Sequence, residues 1–224
     1  MKRVVIPELL DSDAGTPSEI QKSLADLRGF NRWFGGIGST CQLLARVARK
    51  SSLSSLSLLE VASGAGYVPK VVAERLRQQG LTLQFTLLDR SLAHLRNCPA
   101  PGRERVVGDA RALPFRDQSF DVAGCGLFAH HLEPDEIVQF VNEGLRVARR
   151  AVVINDLVRH PLHAAAVYAG VPFYRSRLTR HDAPASVRRA YTEKEILDIL
   201  AGTRARQVEL SRHYFFRMGI IAWK

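Results

Sequence analysis

A chain of 224 residues, 46% hydrophobic and 24% charged, holds enough sequence for one α/β domain with an added lid and too little for two independent domains. No uncharged apolar run reaches the roughly 18 residues that a membrane span needs, and the opening MKRVVIPELL breaks at Pro7 and Glu8, too early for a signal peptide. A net charge of +10 raises nucleic acid as a partner, but 26 of the 32 basic residues are arginines spread along the chain without a dense basic run, so an anionic small substrate or plain solubility explains it as well.

The three cysteines, Cys41, Cys98 and Cys125, are scattered. They show neither a CxxC nor a Cys/His ligand spacing, so the expectation is a reduced, cytoplasmic protein with buried thiols, no disulfide framework and no metal site.

In chain order, residues 17–50 read as two helices. Pro17 and Ser18 offer a start, and Ile20, Leu24 and Leu27 recur at helical spacing. GFNRWFGGIG interrupts the pattern, and Cys41, Leu44, Val47 and Ala48 resume it. From residue 56 the rhythm changes. LSLLEVA is an apolar strand, VPKVVAERLRQQG an amphipathic helix, LTLQFTLLD a second strand and RSLAHLRN a second helix. RERVVGDA holds a third strand, FDVAGCGLFAHH a fourth, DEIVQFVNEGLRVA a helix and RAVVINDL a fifth strand. Strands apolar on both faces, alternating with helices, predict an α/β fold with a doubly wound, mostly parallel sheet.

Residues 157–190 lose that rhythm and carry Pro161, Pro172 and Pro184. YTEKEILDILAG then restores a helix that Thr192 can cap, and two terminal strands form a pair at the sheet edge, for seven strands in all. The expected organisation is a helical N-terminal cap (1–50), a ligand-binding α/β core (51–157), an inserted substrate lid (158–190), and a helix with edge strands completing the core (191–224).

Ligands of parallel sheets bind outside the carboxyl ends of the strands. Glu60, Asp89 and Asp109 end three successive strands here, and Glu60 precedes a loop of small residues, ASGAG. The loop lacks the third glycine of a dinucleotide fingerprint and the Gly-Lys-Ser/Thr of a phosphate loop. An acid at the first strand tip repels a pyrophosphate and suits a cation, such as an amino group or a sulfonium.

LLEVASGAG, TLLDRSLAHL, VVGDARALPFRDQSFDVAGCGLFAHHL and EGLRVARRAVVINDL resemble, in order and spacing, the successive motifs of class I S-adenosylmethionine-dependent methyltransferases. The branch is the broad one that includes ubiquinone/menaquinone C-methyltransferases and small natural-product methyltransferases, and the resemblance covers residues 55–157. It implies a Rossmann-like sheet and S-adenosylmethionine as cofactor, leaving S-adenosylhomocysteine as product. It places Glu60 with the backbone at Ala62, Ser63, Gly64 and Gly66 around the methionine part, Asp89 on the ribose hydroxyls, Arg90 against the adenine, Asp109 and the Ala110 amide at the adenine edge, and Cys125 facing the methionine moiety. The family usually has glycine where Ala62 stands. If the chain there is still strand-like, the extra methyl costs little.

Methyl transfer to a neutral hydroxyl needs a base with a pKa near working pH, which favours histidine. His130 and His131 follow the fourth strand, and His181 lies in the expected lid. Asn31, Trp33, Phe34, Phe128 and Tyr174 are the candidate acceptor wall, and the lid's six arginines against the single acid Asp182 suit an electron-rich or anionic aromatic acceptor. The expected activity is methyl transfer to a small phenolic, quinone or polyketide-like acceptor, O-methylation ahead of C-methylation, by a monomer or homodimer with no nucleic acid or membrane span. An RNA or protein methyltransferase and a non-catalytic cofactor-binding protein are the alternatives.

Overall fold

Leu58 and Val122 face one side of the central sheet while their neighbours Leu59 and Ala123 face the other, and all four are buried. Burial on both faces is what a sheet covered by helices requires, and each fully buried Leu or Val contributes about 1.5–3 kcal/mol. The computed structural model describes residues 1–12, 14–96 and 104–224; Cys98 and the Cys98-Pro99 pair lie outside the described residues.

The strands are β1 (Ser55–Val61), β2 (Thr82–Asp89), β3 (Arg105–Val107), β4 (Phe120–Gly126), β5 (Ala148–Leu157), β6 (Gln207–His213) and β7 (Arg217–Trp223). The helices are α1 (Pro17–Trp33), α2 (Gly36–Lys50), α3 (Tyr67–Gln78), α4 (Leu92–Arg96), α5 (Pro134–Val147), α6 (Pro161–Gly170), α7 (Arg177–Arg189) and α8 (Glu193–Leu200). The sheet runs β3-β2-β1-β4-β5-β7-β6. The first five strands are parallel, and β7 is antiparallel to both of its neighbours. This is the expected α/β, doubly wound, mostly parallel seven-stranded sheet. The chain steps outward from β1 through β3 and returns to β4 on the other side, so the crevice at the carboxyl ends of β1 and β4 is the topological switch point.

Helices α2 and α3 cover one face, and α5 with α8 the other. Thr192 caps α8 as expected: its hydroxyl accepts from the Glu195 amide and the Glu195 carboxylate accepts from the Thr192 amide. Such a reciprocal cap is worth about 1 kcal/mol. No helix among the described residues is long and apolar enough to cross a membrane.

The segment 158–190 is more regular than its prolines suggest. Pro161 opens α6, where its missing N–H costs nothing, and Pro172 sits in a one-turn 3-10 segment (Val171–Phe173). Only Pro184 lies inside a helix, α7, where it is buried.

Residues 1–12 form a strap laid over the carboxyl ends of the strands. The Val4 amide donates to Arg188 O, and the Leu9 and Leu10 amides donate to the Asp182 carboxylate at 2.8 and 3.0 Å. Arg3 closes a fork on Glu133, and Arg90 donates to Asp11 O at 3.1 Å.

Candidate functional site

Strand β1 delivers Glu60 to the switch point with its side chain turned inward, only 6% exposed. A small cavity beside it is lined by Thr40, Gly124, Cys125 and Asn155 among others. Burial pushes the Glu60 carboxyl up to about 8, and no donor among the described residues offsets that shift. A buried carboxyl without a partner is costly, and a cation set against it removes the cost. Cys125, at the neighbouring strand tip, has its thiol pushed well up by burial and by Asp156 and Glu60, so it is a wall rather than a nucleophile.

The loop after β1 turns through three left-handed residues: Ala62 at φ +52°, Gly64 at +53° and Gly66 at +70°. Position 62 is therefore not strand-like, and the expectation that its methyl is cheap is corrected. The Cβ of a left-handed alanine crowds its own carbonyl at about 1–2 kcal/mol. Gly66 forms the N-cap of α3, whose first amides face the site. The Ser63 amide ties the loop to Leu88 O at 3.1 Å, and the Gly64 amide donates to Asp89 Oδ2 at 2.8 Å.

Asp89 also accepts from the Ser91 amide through Oδ1. Burial alone would raise its pKa, but the His94 contact and the amides of Ser91 and Gly64 hold the carboxylate below its ordinary range. Oδ2 thus holds the loop after β1 and Oδ1 the turn after β2, which leaves their remaining lone pairs for a diol. Asp109 is exposed and forked by Arg111, which also reaches Glu136 at 2.6 Å. Ala110 beside it is buried, and Arg90, on the surface, is engaged by Asp11 O.

Beyond β4, Leu127 adopts φ +55°, and a 3-10 turn carries His130 and His131. His130 is 2% exposed; its amide and Nδ1 meet Asp156 Oδ2 and Oδ1 at 2.9 and 2.6 Å. Burial alone would depress the ring, but Asp156 and then Glu8 push it up to about 10. A ring held that strongly protonated does not accept a further proton near neutrality, which corrects its standing as a candidate base. His131 is partly exposed, with Nδ1 2.8 Å from Asp11 Oδ2 and its ring over Phe128. His181 lies in α7 rather than in a loop, with Nδ1 2.8 Å from the Asp182 carboxylate that anchors the strap.

The expected acceptor wall divides. Phe128 joins the site and packs edge-on against Phe140. Asn31 reaches it indirectly: Arg217, buried and pushed down to about 10, donates to both Asn31 and Asn155. Phe34 packs at a tilt against Phe215, ring centroids 4.5 Å apart, and Tyr174 packs edge-on against Phe30 and spends its hydroxyl on Val167 O. Trp33 is 69% exposed, with the Arg32 guanidinium over its ring. Among the described residues, the ring contacts of Trp33, Phe34 and Tyr174 all lie with Phe30, Arg32 and Phe215 rather than with the glycine loop.

The site also contains residues the sequence did not announce: Glu8, Asp11, Asn155 and Asp156. Asp156 carried a readable sign, since it is a fourth acid at a strand end. Glu8 and Asp11 carried none, because they act across more than 100 residues of intervening chain.

A methyltransferase-domain family model matches residues 59–154. The chain is 35% identical over 111 residues to a probable phthiotriol/phenolphthiotriol dimycocerosates methyltransferase of Mycobacterium ulcerans, covering 48% of this chain and 41% of that protein. It is 34% identical over 111 residues to the phthiotriol/phenolphthiotriol dimycocerosates methyltransferase of Mycobacterium leprae, covering 48% of this chain and 39% of that one. The chain thus spans about two fifths of the length of these curated relatives. Among solved structures, the plantazolicin methyltransferase BpumL, in complex with a triazolic desmethylPZN analog and SAH, superposes with a TM-score of 0.70 at 11% identity, covering 97% of this chain and 95% of that one. A SAM-dependent methyltransferase from Aquifex aeolicus gives 0.53 at 17% identity, with 75% and 81% covered. At these identities the structures speak for the fold, while the sequence match runs from the tip of β1 to β5, through the strand ends described above. Residues 59–154 of this chain thus match a methyltransferase domain, and its sheet has the fold of the S-adenosylmethionine-dependent methyltransferases it superposes on.

Proposed function

We propose that the chain methylates a small acceptor, at oxygen ahead of carbon, with Glu60 as the anchor for the cofactor's ammonium group. One observation carries this: the buried, unpartnered Glu60 carboxyl beside a loop of left-handed residues. The residues present fit S-adenosylmethionine, which supplies a methyl group already activated on a sulfonium. The protein then has to align the nucleophile and exclude water. Ser63, Gly64 and Gly66 lend their backbone to the methionine part, Asp89 holds the ribose diol, and Asp109 with the Ala110 amide takes the adenine edge. Phe128 and the strap over it form the dry wall beside the methyl group, and His131 is the candidate histidine that handles the acceptor.

The organic molecules in the relatives' names, phthiotriol and phenolphthiotriol dimycocerosates and a triazolic desmethylPZN analog, support an organic small-molecule acceptor. A shared fold alone does not assign one. The test is calorimetric titration of S-adenosylhomocysteine into wild type and Glu60→Gln, followed by methyl transfer from labelled cofactor to a panel of phenols and quinols. Binding weakened at least tenfold in the variant, with label on an acceptor oxygen, is expected. Absence of binding to the wild type overturns the proposal.

A further inference from the structure

Two distant parts of the chain, Glu8 and the adjacent pair His130 and His131, converge beyond the ends of β4 and β5. His130 Nε2 and His131 Nε2 lie 3.5 and 3.6 Å from one and the same oxygen, Glu8 Oε1. All three atoms fall within 4.8 Å of one another. The opposite nitrogen of each ring is already committed, His130 Nδ1 to Asp156 at 2.6 Å and His131 Nδ1 to Asp11 at 2.8 Å. Each ring keeps a proton on Nδ1 toward its carboxylate, which leaves Nε2 as the nitrogen that faces Glu8. His130 Nε2 is fully buried and makes no hydrogen bond, its distance to Glu8 being 3.5 Å. A metal ion that displaces the Nε2 proton would there meet three donor atoms at once.

We infer that Glu8, His130 and His131 form a site for one divalent transition-metal ion, zinc by preference, which fastens the N-terminal strap over the carboxyl ends of β4 and β5. Ligand atoms around tetrahedral zinc, at bonds of about 2.0–2.1 Å, stand roughly 3.4 Å apart. The two measured separations are close to that edge. Two imidazoles and one carboxylate select zinc or cobalt over magnesium and calcium, which prefer oxygen throughout. The outer shell is present too: carboxylates orient both rings, and Ser186 Oγ donates to Glu8 at 2.7 Å. Three protein ligands leave a position for water or an acceptor oxygen, whose pKa the ion lowers. In this site His131 acts through the metal rather than as a free base. The inference needs only the ligand geometry and stands whether or not the methyl-transfer proposal does.

The experiment uses full-length, tag-free protein, stripped by a chelator and titrated with zinc chloride by calorimetry and with cobalt chloride by visible absorption. One ion per chain is expected, with cobalt d–d bands of a low-coordinate nitrogen/oxygen site. Glu8→Gln and His131→Gln, each checked for folding by circular dichroism, should each lower zinc affinity at least tenfold. Asp11→Asn, which touches only the outer shell, should lower it about 10–100-fold. Hydrogen exchange across residues 1–12 should slow on adding zinc to wild type and not to Glu8→Gln. Absence of stoichiometric binding, or zinc bound equally by wild type and both ligand variants, overturns the inference. S-adenosylhomocysteine titrated into the same samples reports separately on the cofactor proposal.

Discussion

The amide of Gly64 donates to Asp89 Oδ2 at 2.8 Å, joining the loop after β1 to the tip of β2. One carboxylate therefore sets the shape of the cofactor loop as well as offering acceptors for a ribose. Asp89→Ala strands the amides of Gly64 and Ser91 at about 1–3 kcal/mol. At roughly 2–4 °C per kcal/mol for a chain of this size, the melting temperature should fall by several degrees. Asp89→Asn keeps one oxygen and should lose less stability, while both variants bind S-adenosylhomocysteine more weakly. Thermal melts of the two variants with calorimetry separate the roles; equal melting temperatures for Asp89→Ala and wild type would show that the carboxylate does not hold the loop.

Ala62 gives a prediction of opposite sign. Its φ of +52° strains an alanine and suits a glycine. Ala62→Gly relieves about 1–2 kcal/mol of left-handed strain and returns part of it as unfolded-chain entropy. The net gain is about 0.5–1 kcal/mol, seen as a higher melting temperature with cofactor affinity kept or improved. A destabilised Ala62→Gly would mean that the alanine methyl has a packing role.

Glu60 should make the protein pH-sensitive in a direction unusual for a carboxylate. Its folded pKa is about 8 against an ordinary 4.5, so between those values the folded chain keeps a proton that the unfolded chain has released. Stability of the free protein thus falls as pH rises through that window, by at most about 1.4 kcal/mol per pH unit, and levels off above it. Binding a cation at Glu60 expels the proton, so cofactor affinity should rise with pH up to about 8. Calorimetry in two buffers of different ionisation heat measures the released proton directly. Glu60→Gln should flatten both dependences.

How much of this was legible beforehand follows from the range of each interaction. Leu58-Leu59 and Val122-Ala123 show burial on both faces through composition alone, and Thr192-Glu195 shows a cap through a three-residue spacing. Glu60 and Asp89 stand at the ends of β1 and β2 as expected, while Asp109 lies two residues past the end of β3, in a bridge to Ala112. The handedness at Ala62 is different, because an alanine gives no sign of a left-handed turn that its neighbours impose. Helix α7 was hidden for a related reason: Pro184 argues locally against a helix that its buried face stabilises. Glu8, Asp11 and Asp182 gave no sign at all, since a strap without periodicity finds its partners only once the sheet has formed.

That strap supplies the last prediction. Asp182 is buried in α7, takes the amides of Leu9 and Leu10 on separate oxygens, and meets His181 on one of them. Charge-assisted bonds to two amides are worth about 1.5–3 kcal/mol each, more than the exposed Arg3–Glu133 pair that also holds the strap. Asp182→Ala should therefore release residues 1–12 without unfolding the sheet, as local opening rather than global loss. Amide exchange at Leu9 and Leu10 should speed up at least tenfold while that of β1 and β4 stays protected, and Glu8 should lose its place beside His130 and His131. His181→Ala leaves both amide bonds intact and should leave that exchange unchanged. If the two substitutions speed exchange equally, the histidine rather than the aspartate holds the strap in place.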